Sequence, residues 1–336
     1  MGPRARKIWG LLLLSGLAAL VALGLTASMG PPPDNQPHPF NQDRNAVWLE
    51  HRWLARPQPA PDVEATLLAL ARHGVRYVYP HLIPFDRAGR LPPHSREQMR
   101  AFQDVAHGIT PRVRVLPWVG GLRVGYRRTD VGGIDLGDLA QRQQIVAECR
   151  GLIDEGFDGV HLNIEPVPND SDDLLALLRA LRPALGDNHI LSVSATRPAP
   201  ISVPGAPNFA WTPEYLARVA ALADQIVIMG YDTGLPTAGL YRRYMAYAVA
   251  ASAEAVKPTA RARLLIGVPT YTASGFMHRT DVETLENALF GVIAGLRGSG
   301  VGGTVEGVAL YAHWTTDREE WETYERLWRG GAGPAH

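Results

Sequence analysis

From Ala46 to Trp328 the sequence alternates short apolar, β-rich runs with amphipathic stretches, and that alternation constrains the fold more than any other feature. Strands are expected at Ala46–Leu49, Val75–Tyr79, Val113–Val119, Val160–Ile164, Ile190–Ala195, Gln225–Met229, Leu264–Val268 and Val305–Tyr311. Helical spacing follows each of them, at Asp62–His73, Ser95–His107, Asp138–Glu155, Asp172–Leu185, Pro213–Ala223, Leu240–Val256, Val282–Arg297 and Arg318–Trp328. A helix that carries the chain back before each new strand makes the sheet parallel. Strands that are apolar throughout suit burial on both faces. Eight such units over roughly 280 residues fit a single α/β fold, a closed (β/α)8 TIM barrel spanning residues 46–330. A doubly wound open sheet is the other topology that alternation allows. No strand runs into a GxGxxG or GxxxxGK[ST] turn, so nothing points to a nucleotide or to any cofactor.

In a parallel barrel the chemistry gathers at the C-terminal ends of the strands. Polar residues stand there: Asn163 and Glu165 at strand four, Arg197 after strand five, Tyr231 and Asp232 after strand six, Tyr271 after strand seven, His313 and Trp314 after strand eight. Side chains alternate along a strand, so His161, Asn163 and Glu165 share one face and Val160, Leu162 and Ile164 the other. The apolar set suits the helices, which turns the polar set into the barrel. Polar groups are costly there unless they serve something. Asn163 and Glu165 are separated by roughly 6.6 Å at about 3.3 Å per residue, close enough to reach one ligand. Burial raises a carboxyl pKa, the property a general acid needs.

Strand four, with Asp158, His161, Asn163 and Glu165, resembles the DxxDxDxE signature of family 18 glycoside hydrolases, the chitinases and their relatives. Ile228-Met229-Gly230-Tyr231-Asp232 is similar to that family's M-x-Y-D at strand six. The segment Val115–Gly121, which contains Trp118, resembles its strand three, and Gly267–Tyr271 its G-x-P-x-Y at strand seven. The sequence departs from the signature at His161 and Asn163, where the family has aspartates. The N-x-E core also resembles family 85 endo-β-N-acetylglucosaminidases, where an asparagine orients the substrate. The resemblance implies a retaining, substrate-assisted hydrolase of N-acetylglucosamine-containing glycans. Glu165 would be the acid/base, Asn163 would orient the 2-acetamido group, and the Tyr231 hydroxyl would bind it. Asp158, His161, Asp232, Tyr271 and Trp118 would serve the substrate, with Tyr311 or Trp314 as the aromatic floor. A chitinase-like carbohydrate-binding protein without catalysis is the alternative.

Thirty-three basic and thirty-three acidic residues cancel, leaving no basic field for nucleic acid. The lone Cys149 excludes an internal disulfide. The chain lacks HExxH and any dense histidine cluster, so no metal is expected, and the trio His161, Glu165 and His313 is the one metal alternative. Arg4, Arg6 and Lys7 precede an uncharged apolar run from Ile8 to Ala27. Residues 1–29 therefore read as a signal peptide or a membrane anchor, and the protein as exported. It would be either anchored facing outward or released after cleavage. Residues 30–45 read as a Pro-rich tether, and a monomer is expected.

Overall fold

The computed structural model describes residues 40–330, apart from 83, 92–93, 110–111, 125–132, 201–209, 260, 276 and 301–302. The expected signal or anchor segment and most of the tether lie outside the described residues. Among the described residues no helix is long and apolar enough to cross a membrane.

Each strand arises where an apolar run meets the next, and most of the helices open on a side-chain cap. Ser95, Asp138, Ser171, Thr212, Thr237, Thr284 and Asp317 each accept a hydrogen bond from a backbone N–H of the first helical turn. The strands are β1 (Asn45–Leu49), β2 (Val75–Pro80), β3 (Arg114–Val115), β4 (Trp118–Leu122), β5 (Gly159–Glu165), β6 (Ile190–Thr196), β7 (Gln225–Met229), β8 (Arg263–Pro269) and β9 (Val305–Tyr311). All pair in parallel, in the order β3-β2-β1-β9-β8-β7-β6-β5-β4.

The ninth strand is half of an expected one. The run at Val113–Val119 divides at Leu116-Pro117, because Pro117 has no N–H to give the ladder. Below the break β3 pairs with β2, and above it β4 pairs with β5. The stretch is thus bonded on both sides, with Leu82 N–H donating to the Trp118 carbonyl and His161 N–H to the Pro117 carbonyl. The sheet therefore curls into a parallel α/β barrel of eight staves. Gly120, at φ +149°, makes the upper junction fit, since a Cβ there would lie 1.8 Å from the Asn163 carbonyl oxygen.

Side-chain alternation on β5 is as expected: Val160, Leu162 and Ile164 pack into the core beneath the helices. A smaller core of Ala46, Trp48, Tyr77, Tyr79, Leu116, Val227, Leu265 and Ala309 fills the barrel. Polar groups thread it, with Tyr79 Oη donating to Gln225 Oε1 at 2.6 Å and Tyr77 Oη to Glu306 Oε2 at 3.1 Å.

Three expectations are corrected here. His161 is not a ligand contact, since it has no exposed surface. Its ring lies flat on Tyr79, with centroids 4.0 Å apart, and its two nitrogens meet Ser192 Oγ at 2.8 Å and Ser194 Oγ at 3.0 Å. Those partners also remove it from any metal trio. Asp158 sits at the opposite end of β5 from Glu165, about 23 Å away at 3.3 Å per residue. Its carboxylate accepts from Val115 N at 2.9 Å and pairs with Arg112, stitching β3 to β5. Residues 41–45 belong to the barrel and not to a tether. Asn45 opens β1, and its buried amide accepts from Val308 N and Trp328 Nε1 while donating to the Gly74 carbonyl.

Candidate active site

At the C-terminal mouth, β5 delivers Asn163 and Glu165 to a pocket of about 170 Å³. Trp118, Tyr231, Asp232 and Tyr311 line it, joined by Trp48, Arg197 and Met229. This is below the roughly 300–1,000 Å³ of drug-sized sites, so the pocket holds one ring-sized group and a longer ligand must continue along the rim.

Asn163 and Glu165 act on each other directly. Asn163 Nδ2 donates to Glu165 Oε1 at 2.8 Å. The amide's other end, Oδ1, is buried and has no hydrogen-bond partner. Burial pushes the Glu165 carboxyl up from its ordinary value, opposed by the Asn163 hydrogen bond, reinforced by the negative Asp232 and opposed by the Arg197 charge. Burial favours the acid form of this carboxyl, which can give a proton to a ligand in the open pocket, and the same group ionised can take one back.

The aromatic residues divide clearly. Tyr311 lines the pocket and stacks on Tyr231 with centroids 5.1 Å apart. Trp314 is 41% exposed and meets Tyr311 only edge-on, so Tyr311 is the pocket aromatic at the end of β9. Burial drives the Tyr231 phenol well above its ordinary pKa, which keeps it a hydrogen-bond donor. Tyr271 stands behind the lining, where its hydroxyl donates to Asp232 Oδ1. Trp118 stacks on His81 at 4.2 Å and meets Tyr311 edge-on at 6.1 Å.

Arg197, noted in the sequence only as a strand-end residue, donates to the backbone carbonyls of Tyr231 and Asp232. It thereby fixes the turn after β7, where Asp232 takes a left-handed φ of +56°. The inward alternation of β1 could have identified Trp48 as a lining residue. Nothing in the sequence signalled His278 and Glu283, which contact Asp232 and the adjoining turn from the segment after β8. Asp232, His278 and Glu283 form the one group among the described residues with the composition and spacing to hold a metal ion.

No protein-family model matches the chain, and no curated protein matches it. Solved structures do. A chitinase from Chromobacterium violaceum aligns with a TM-score of 0.57 at 15% identity, over 84% of this chain and 98% of that one. The spore cortex-lytic enzyme SleL of Bacillus megaterium aligns with a TM-score of 0.57 at 12% identity, over 87% and 75%. A chitinase from Rhizomucor miehei gives a TM-score of 0.53 at 15% identity, over 84% and 99%. The chain has the barrel fold of chitinase-like glycoside hydrolases.

Proposed function

We propose that the protein is a retaining glycoside hydrolase that cuts N-acetylglucosamine-containing glycans with the help of the substrate's own 2-acetamido group. One observation carries the reading: the buried, unpartnered Asn163 Oδ1 beside the general acid Glu165. A buried acceptor left unmade costs about 1–3 kcal/mol, and a 2-acetamido N–H is the donor that would satisfy it. Asn163 then fixes the acetamide so that its carbonyl oxygen faces the anomeric carbon.

The steps follow from the residues. Glu165 donates its proton to the glycosidic oxygen as the acetamide oxygen bonds to the anomeric carbon and the leaving sugar departs with the electron pair. Tyr231 supplies a neutral hydroxyl to the acetamide. Glu165, now ionised, takes a proton from the water that attacks the anomeric carbon, and the ring formed by the acetamide reopens. Asn163 brings no negative charge to the cationic intermediate, unlike the aspartate of family 18.

Binding and cleavage of N-acetylglucosamine oligomers against their deacetylated counterparts test the reading. The acetylated oligomer is expected to be bound and cut and the deacetylated one neither. Equal handling of the two would refute the role of Asn163. Binding without cleavage would make the barrel a carbohydrate-binding protein. We place the reaction outside the cytoplasmic membrane, on the basic flank and uncharged run of residues 4–27. Protease added to intact cells should then reach the barrel, and full protection would contradict it.

A further inference from the structure

Behind one wall of the pocket, the turn after β7 meets the segment after β8 at Asp232, His278 and Glu283. One ligand-capable atom of each lies within 4.8 Å of the others. His278 and Glu283 are 4% and 2% exposed, while Asp232 opens onto the pocket.

Hydrogen-bond accounting shows what this group lacks. His278 Nε2 lies 3.3 Å from the Tyr271 carbonyl and Nδ1 lies 3.3 Å from Glu283 Oε2, two acceptors facing a ring that has a single hydrogen when neutral; take that hydrogen on Nε2, where it serves the carbonyl. In a neutral ring Nδ1 then holds a lone pair. It faces two further acceptors, Glu283 Oε2 at 3.3 Å and Asp232 Oδ1 at 3.6 Å. Glu283 cannot turn away, because its Oε1 accepts from Thr233 N, Thr233 Oγ1 and Gly234 N. Among the described residues no lysine or arginine forms an ion pair with either carboxylate. The group therefore calls for a cation at its centre, either a proton on Nδ1 or a metal ion.

The distances discriminate. An imidazolium bridging carboxylates closes to about 2.7–2.9 Å, and both separations here are longer. A tetrahedral ion sets its ligands apart by about 1.63 bond lengths. Both separations run from the His278 nitrogen to a carboxylate oxygen, and 3.3 and 3.6 Å correspond to mean metal–ligand bonds of about 2.0 and 2.2 Å, within the range of zinc bonds to nitrogen and oxygen. Calcium and magnesium prefer all-oxygen shells of six or more ligands. The outer contacts are those a metal site uses: His278 Nε2–H on a carbonyl, Tyr271 Oη on Asp232, and backbone N–H groups on Glu283.

We propose that Asp232, His278 and Glu283 bind a zinc-class divalent transition metal, which fastens the β7 turn carrying Tyr231 and Asp232 to the β8 segment carrying Tyr271. The proposal does not depend on the glycosidase reading. To test it, the purified full chain is loaded with zinc chloride, dialysed into metal-free buffer and assayed for metal content, with Tm followed during zinc titration. One zinc per chain is expected to remain. Tm should rise by about 5 °C at a hundredfold excess over Kd and return with chelator. His278→Gln should abolish both responses. Should that variant fail to fold, the solvent-facing Asp232→Asn gives a second reading, with zinc binding weakened at least about tenfold. Wild type that retains no zinc and shows no shift would overturn the proposal, as would either variant binding like wild type. A Tm that ignores zinc but falls as pH rises through the imidazole range would identify a protonated bridge and also overturn it.

Discussion

Replacing His161 by Phe exposes the structural work of a signature position that, like Asp158, the pocket does not use. The ring should keep its stack on Tyr79, but Ser192 and Ser194 lose their shared partner. Two buried hydrogen bonds at about 1 kcal/mol each put the loss near 2 kcal/mol at pH 7. Acid should then work in the variant's favour. Burial pushes the His161 imidazole down to about 3 in the folded chain, against about 6.5 when unfolded. Between those values the unfolded chain binds a proton that the folded one refuses, so this residue's contribution is complete above pH 6.5 and declines as pH falls. The decline is about 1.4 kcal/mol per pH unit, or about 2 kcal/mol by pH 5. Wild type and His161→Phe should therefore be equally stable near pH 5 and differ by about 2 kcal/mol at pH 7. Urea denaturation at half-unit intervals from pH 4.5 to 7.5 measures the gap. A gap that does not change with pH would mean that His161 is neither buried nor neutral.

Other outcomes follow from the same geometry. Asp158→Asn should cost about 2–4 kcal/mol in urea denaturation, because it uncouples the buried carboxylate from Arg112 and the β3 backbone; oligomer affinity should stay unchanged, and a change there would return Asp158 to the site. The alkaline limb of kcat/KM should report Glu165 as the acid, with activity falling as pH rises through its elevated pKa. Arg197→Met removes a charge that lowers that pKa and should move the limb to higher pH; movement the other way would contradict the assignment. Trp314→Ala should leave binding of a single N-acetylglucosamine unit unaltered while Tyr311→Ala weakens it, and the reverse order would exchange their roles.

Much of this was legible in sequence, for reasons that differ by residue. Alternation of strand and helix spacing gives the barrel, and period two on β5 gives the inward face carrying Asn163 and Glu165. The same period could not separate His161 from Asn163, because depth along a barrel axis depends on the register of neighbouring strands. Only the pairing of β5 with β6 brings Ser192 and Ser194 to that ring. Pro117 announces a break, yet its use, letting one stretch pair below with β2 and above with β5, needs both partners in place. Asn45 reads as a polar linker residue until Gly74, Val308 and Trp328 surround it. His278 and Glu283 lie 46 and 51 residues beyond Asp232, outside any repeat or motif, so only the closed ring makes them neighbours.

Glu165→Gln retains the shape of the side chain and removes its proton. Turnover of an N-acetylglucosamine oligomer should fall by roughly 10²–10⁴-fold, the usual contribution of general acid–base catalysis, while the oligomer still binds. Turnover unchanged by that substitution would contradict the assignment of Glu165 as the group that drives the reaction, whatever the fold.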